Sequence, residues 1–159
     1  MFLKSKLEKY LKDNLEIRKS KMVFGTARYA EASCLEEASI SNYIEDNKED
    51  SFQSKLFELI DNRNLKDSDV YNKVNIDRRL FSKIRSDEKY HPSKETVILL
   101  GIALELNENE IEDLLDSASY SLPKNTTYDL IIRFCFKEHI YNLNQINDFL
   151  YDHNCKTFD

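Results

Sequence analysis

The chain has 159 residues, of which 41% are hydrophobic and 33% charged, and its formal net charge is −6. This composition is typical of a folded globular protein. It excludes a disordered chain, which would contain fewer hydrophobic residues. Only two glycines and two prolines occur, which disfavours an all-β fold because its many turns need these residues. No apolar run approaches the ~20 residues that span a bilayer, and the N-terminus lacks the apolar segment of a signal peptide.

The cysteine and histidine positions indicate no metal or redox chemistry. The three cysteines are widely spaced and form no CxxC motif, which predicts reduced thiols in a cytoplasmic protein. The three histidines do not cluster, and no P-loop, HExxH or GxSxG motif is present. We therefore expect no enzyme activity, no cofactor, no metal site and no membrane partner.

Residues 1–50 are predicted to form an N-terminal helical arm and a charged linker. An amphipathic helix is expected over residues 2–18, with apolar side chains at helical spacing. Because an isolated helix of this length is marginal in water, it should pack on the rest of the chain, on a second copy or on another protein. Ser33 is expected to cap a weaker helix that runs to about Ile44, and EDNKED (45–50) is expected to be the linker. The candidate interaction residues of the arm are Leu3, Leu7, Tyr10 and Leu11.

Residues 51–121 are predicted to form a helix-turn-helix domain. Ser51 is expected to cap its first helix, and residues 65–85 then read as a helix, a short turn and a second helix. Asp67 and Asp77 are the predicted N-caps of these two helices. Asn75 lies in the turn, where its tolerance of the left-handed conformation suits a chain reversal.

The second helix of this motif carries most of the basic residues nearby. Six Lys/Arg against three Asp/Glu in residues 76–94 give a local charge of +3, although the whole chain is acidic. Such segregated charge can steer an anionic partner; the alternative is that these residues are simply solvated or paired with the acidic segments. The candidate nucleic-acid contacts are Arg78, Arg79, Ser82, Lys83 and Arg85 on the helix, with Lys89, Tyr90 and Lys94 beside it.

The remaining segments complete an all-α prediction. A polar loop over residues 86–92 should lead to a helix capped by Ser93 and rich in apolar residues, and an acidic helix should follow at about 108–119. A C-terminal extension, residues 122–159, should hold two further helices at about 127–138 and 143–151.

The stretches LKDSDVYNKVNIDRRLFSKIRS (65–86) and KETVILLGIALEL (94–106) resemble the Cro and phage-repressor-like (XRE) helix-turn-helix family. With the tail motifs YDLIIRF and IYNLNQINDFL, the chain is more closely similar to a module found at the C-terminus of many bacterial multidomain proteins. There the module follows macro (ADP-ribose-binding) or other effector domains. The resemblance implies a five-helix repressor-like domain with two added helices and no inherited catalytic site.

The chain departs from ordinary DNA-reading members of that family at three positions. Asp67 stands where those proteins often have a Gln that meets a phosphate, Tyr71 stands where a small residue is usual, and Leu80 is expected to point outward. An acidic side chain at the first position disfavours contact with the DNA backbone, and an exposed Leu also suits a protein groove.

Two functions from different classes are therefore predicted. The first is a regulator, expected to be dimeric, that reads the major groove of double-stranded DNA with the helix 78–85. The alternative is a protein-interaction adaptor that uses the same scaffold, with Leu80 and the N-terminal helix as docking elements and a bacterial effector or defence protein as its partner.

Overall fold

The protein is described by a computed structural model that covers residues 2–16 and 37–158. These residues form α-helices and no strand, which confirms the all-α prediction. The cap predicted at Ser33 lies outside the described residues. The helices are α1 (Phe2–Glu16), α2 (Glu37–Asn47), α3 (Phe52–Asn62), α4 (Asp67–Lys73), α5 (Arg78–Ser86), α6 (Lys94–Ala103), α7 (Glu108–Ser117), α8 (Thr127–Lys137) and α9 (Leu143–Asp152).

Side-chain caps start α3 and α6 at the serines that the sequence predicts. The hydroxyl of Ser51 accepts a hydrogen bond from the Ser54 N–H, and Ser93 accepts one from the Thr96 N–H in the same way. Each cap satisfies one of the backbone donors that the first turn of a helix leaves unpaired. The cap predicted at Asp67 is wrong, because Lys66 occupies the N-cap position and Asp67 is already the first helical residue.

Six helices end on a non-glycine residue in the left-handed conformation. At each end, the amide three residues past the helix, directly after the left-handed residue, bonds back to a carbonyl of the last turn, as Leu106 N–H does to Gly101 O at 3.1 Å. This arrangement satisfies carbonyls that would otherwise lack a partner. With two glycines in the whole chain, other residues take these positions: Asn64, Asn75, Glu105, Ser119, His139 and Asn154, with φ between 52° and 58°.

The core is centred on α6, which is apolar on nearly all sides. It packs on α4 and α7, α7 also contacts α3 and α8, and α8 contacts α9. Gly101 permits the close approach around α6, because a Cβ there would overlap the Ile111 side chain and lie 3.1 Å from the Phe136 ring. α6 is therefore surrounded by its neighbours, as its sequence predicts.

The N-terminal helix packs on the rest of the chain. α1 lies on α8, where Leu7 and Leu11 are only 1% and 6% exposed. The Tyr10 ring lies 5.4 Å from that of Phe134, and an ion pair of 2.6 Å joins Lys4 to Asp152 of α9. Of the three packing partners that the sequence allows, the structure shows the first, which is the rest of the chain.

The linker predicted over residues 45–50 begins three residues late. Helix α2 continues to Asn47, whose side-chain amide donates to the carbonyl of Tyr43 at 2.8 Å and closes the last turn. Only residues 48–51 therefore separate α2 from α3. None of the helices in the described ranges is both long and apolar enough to cross a membrane.

Candidate nucleic-acid interface

Helices α4 and α5 are held together by apolar contacts. Four apolar side chains of this motif are each at most 2% exposed. They are Val70 in α4, Val74 at the C-terminal end of α4, and Phe81 and Ile84 in α5. Asn75 reverses the chain between the two helices with φ 54°. The apolar half of each helix is therefore buried, and the opposite half of α5 is turned away from the core.

Both ends of α5 are fixed by hydrogen bonds from side chains. The carboxylate of Asp77 accepts from the backbone N–H of Arg79 at 2.7 Å and of Leu80 at 3.3 Å, which confirms its predicted cap. At the other end, the side-chain amide of Gln53 in α3 donates to the carbonyls of Ile84 and Arg85. The sequence analysis did not find Gln53, because its partners lie about thirty residues further along the chain.

Arg85 connects the two helices of the motif. Its guanidinium forms a 2.5 Å ion pair with Asp67 at the start of α4 and lies 4.0 Å from the centroid of the Phe57 ring. This side chain was predicted to contact nucleic acid, but its position at the last turn of α5 brings it against α3 and α4. This ion pair partly neutralises the charge of Arg85. It also partly neutralises Asp67, the acidic residue that was expected to repel a phosphate.

The outward half of α5 forms an exposed basic surface. Arg78, Arg79, Ser82 and Lys83, which we call the α5 cationic face, are all exposed. Together with Ser86 they line a shallow depression of about 540 Å³. Because helix residues three and four apart lie on one side, the two arginines of the first turn point the same way as Ser82 and Lys83 one turn later.

The arginines of this face differ from the other arginines with described side chains. Arg63 pairs with Glu110 at 2.8 Å, Arg85 pairs with Asp67, and Arg133 pairs with two carboxylates of α7. Arg78 and Arg79 form no ion pair with any described residue. The chain therefore neutralises its other described guanidinium groups and leaves two adjacent ones available at the start of α5.

The loop after α5 contributes part of the predicted surface. Lys89 is exposed, and the ammonium of Lys83 lies 4.6 Å from the ring centroid of the half-buried Tyr90. Lys94, which was predicted to belong here, instead forms a 2.5 Å ion pair with the buried carboxylate of Asp129. The capped start of α6 directs Lys94 towards α8, so its charge is neutralised within the chain.

The predicted protein-interaction residues have mixed positions. Leu7 and Leu11 are buried against α8 and are unavailable to a partner while α1 stays there. Tyr10 is half-buried, and Leu3 lies at the edge with 36% exposure. Leu80 does not point fully outward, because it is half-buried and packs against the core.

A more exposed apolar surface occurs on α2, where the sequence analysis predicted only a weak helix. Ile40, Tyr43 and Ile44, which we call the α2 stripe, are 47%, 68% and 57% exposed. Their spacing of three and four residues was the available signal for one helix face. The weak helix signal obscured it, since serines dilute the apolar pattern of this segment.

The structure offers little for metal binding or thiol chemistry. Within residues 2–16 and 37–158, no group of three His, Cys, Asp or Glu side chains could hold a metal ion. Cys135 is buried on α8, and this burial raises the pKa of its thiol to about 12. A thiol with so high a pKa is a poor nucleophile at neutral pH.

Comparisons with known proteins add no relative. No protein-family model, curated protein or solved structure matches this chain.

Proposed function

We propose that this protein is a non-enzymatic DNA-binding regulator with a repressor-like helix-turn-helix fold over α3–α7. In this proposal α5 enters the major groove of double-stranded DNA. The observation that carries it is the pair of exposed arginines, Arg78 and Arg79, that form no ion pair with a described carboxylate. Such guanidinium groups suit guanine edges and phosphates, which both accept two parallel hydrogen bonds.

The dimensions of α5 support the proposal. An α-helix with its side chains is about 10–12 Å across, and the major groove, which is about 12 Å wide, admits one. Recognition helices contact bases mainly through their N-terminal residues, and Arg78 and Arg79 are the first two residues of α5. Ser82 and Lys83 would follow one turn on, and Lys89 would lie beside the sugar-phosphate backbone.

The rigidity of α5 also favours this role. The Gln53 hydrogen bonds and the Asp67–Arg85 pair fix α5 against α3 and α4, and the Asp77 cap closes the first turn of α5 itself. A fixed surface binds with a smaller loss of conformational freedom than a mobile one. The net charge of −6 opposes binding at long range, so we expect affinity to depend on local contacts and on low ionic strength.

Binding to a mixed-sequence duplex of about 20 base pairs, followed by fluorescence anisotropy, tests the proposal. If about three phosphates are neutralised per chain, affinity should fall about 40-fold between 50 and 200 mM salt. The double variant Arg78→Ala/Arg79→Ala should bind at least tenfold more weakly. A matched control, Lys9→Ala/Lys12→Ala, removes the same charge from exposed positions on α1 and should change affinity less than threefold.

Two results would reject the proposal. One is the absence of binding at 50 mM salt by a chain whose circular dichroism shows it to be folded. The other is an equal loss of affinity in both double variants, since that would indicate attraction by total charge rather than contact by α5.

A protein-interaction adaptor is the second candidate. The exposed α2 stripe favours it, because contiguous exposed apolar side chains often mark a binding surface. Replacing Tyr43 by Glu should then abolish capture of the partner while the chain shows no affinity for DNA. If DNA binds at low salt and Tyr43→Glu leaves that binding unchanged, the regulator is the better account.

A further inference from the structure

The α2 stripe is an apolar helix face that no part of the described chain covers. α2 has 11 residues, and a helix of this length is marginal in water unless its apolar face is buried. The side chains of Ile40, Tyr43 and Ile44 are nevertheless all more than 45% exposed. A stable α2 therefore requires a surface that accepts these side chains.

Acidic residues next to the stripe restrict what that surface can be. Glu45 and Asp46 lie in the last turns of α2, and Glu49 and Asp50 follow it, with Lys48 between them. These side chains are exposed, and none of them forms an ion pair with a described residue. Two α2 helices packed on each other would bring like charges together, so a cationic surface is the better complement.

The α5 cationic face has the required chemistry. Arg78, Arg79 and Lys83 supply positive charge, and the half-buried Leu80 supplies an apolar contact between them. The exposed Tyr43 ring can also receive a guanidinium group on its face. The two helices, with 11 and nine residues, are about 16 and 13 Å long, so one can lie along the other.

We propose that a second copy of the chain docks its α2 on this α5 cationic face, and that the first copy does the same in return. Such a reciprocal contact has two-fold symmetry and forms twice in each dimer. Within one chain, both surfaces are exposed, so α2 does not cover its own α5.

The contact is largely electrostatic and therefore sensitive to salt. Exposed charges separated by about 8–10 Å are screened at 0.1–0.15 M salt, and the screening length falls to about 3 Å at 1 M. The dimer should thus form at low ionic strength and dissociate at high ionic strength. Its formation does not depend on DNA. Because a duplex and a second copy compete for the same arginines, DNA binding is measured at a chain concentration well below the dimer dissociation constant.

Cross-linking of the intact chain identifies the contact. Equal amounts of ¹⁴N- and ¹⁵N-labelled protein are mixed and treated with a carbodiimide, which joins carboxylates to lysines that already touch. At 50 mM salt, about half of the peptides that join residues 45–50 to Lys83 or Lys89 should combine a ¹⁴N with a ¹⁵N chain, as random pairing in a two-fold dimer gives, and these mixed peptides should disappear at 0.5 M. Sedimentation equilibrium should give a mass of two subunits at the lower salt.

Charge reversal tests whether these residues make the contact. Arg78→Glu/Arg79→Glu should raise the dimer dissociation constant at least tenfold, and adding Glu45→Arg/Asp46→Arg should return it to within threefold of the original. A control, which adds Asp113→Arg/Asp116→Arg on exposed positions of α7, should not restore it.

Three outcomes would overturn the inference. The first is cross-links between α2 and α5 within one isotope only, which would place α2 on its own chain. The second is a monomer at every salt concentration. The third is a dimer whose dissociation constant is unchanged by Arg78→Glu/Arg79→Glu. No DNA is present in these measurements, so their result is independent of the proposed function.

Discussion

Replacing Lys94 by Met should destabilise the fold without weakening DNA binding. The ammonium of Lys94 lies 2.5 Å from the carboxylate of Asp129, and the side chains are 28% and 6% exposed. The Thr126 hydroxyl donates to the other oxygen of this carboxylate at 2.8 Å. Without Lys94, Asp129 would keep that hydrogen bond but lose its counter-charge in a site that water scarcely reaches.

The expected loss follows from the burial of the two partners. Breaking a fully buried ion pair by removing one member costs about 3–5 kcal/mol, because an uncompensated charge remains. Since Lys94 is partly exposed, water can enter where its ammonium was, so we expect a smaller loss, about 2–3 kcal/mol. For a chain of this size the melting temperature should fall by about 5–10 °C.

Urea unfolding followed by circular dichroism measures this loss of stability. The double variant Lys94→Met/Asp129→Asn removes the buried charge as well and should recover at least about 1 kcal/mol. At a temperature where the chain stays folded, DNA affinity of Lys94→Met should remain within twofold of the original. A variant as stable as the original chain, or one that binds DNA as weakly as Arg78→Ala/Arg79→Ala, would refute this reasoning.

Three further predictions concern the core and the arm. Gly101→Ala should destabilise the chain by about 1–2 kcal/mol in urea unfolding, because overlap with Ile111 outweighs a gain of about 1 kcal/mol in helix propensity; a stabilised variant would contradict this. Leu7→Ala should lower the free energy of unfolding by about 2–4 kcal/mol but leave the number of subunits per particle, measured by light scattering, unchanged. A changed number of subunits would indicate that α1 is an oligomerising element. Because burial raises the pKa of the Cys135 thiol to about 12, we expect Ellman's reagent at pH 8 to modify the less buried Cys155 before Cys135; mass spectrometry that finds Cys135 modified before Cys155 in the folded chain would contradict it.

Features fixed by near neighbours could be predicted from the sequence. The caps Ser51, Asp77 and Ser93 and the left-handed Asn75 involve residues within about three positions, where hydrogen-bond geometry is local. The cap at Asp67 was wrong because an acidic residue is favourable both at the N-cap and in the first helical turn. Sequence alone therefore located the start of α4 to within one residue.

Features that depend on distant contacts could not be predicted in this way. The basic run of residues 76–94 does not show that Arg85 pairs with Asp67 or that Lys94 pairs with Asp129. These partners are 18 and 35 positions away. Only the folded structure therefore shows that Arg85 and Lys94 are neutralised within the chain, whereas Arg78 and Arg79 form no ion pair with a described residue. The α2 stripe escaped notice for a similar reason, since its exposure depends on where the neighbouring helices lie.

A nuclear magnetic resonance titration of the ¹⁵N-labelled chain with a mixed-sequence DNA duplex tests the central claim most directly. The Nε–H signals of Arg78 and Arg79 should shift or broaden first, together with the backbone amides of α5 and Lys89. The Nε–H signals of Arg63 and Arg133, which are paired within the chain, should remain unchanged. Changes centred on α1 or α7, or no change at 50 mM salt, would contradict DNA contact through the α5 cationic face.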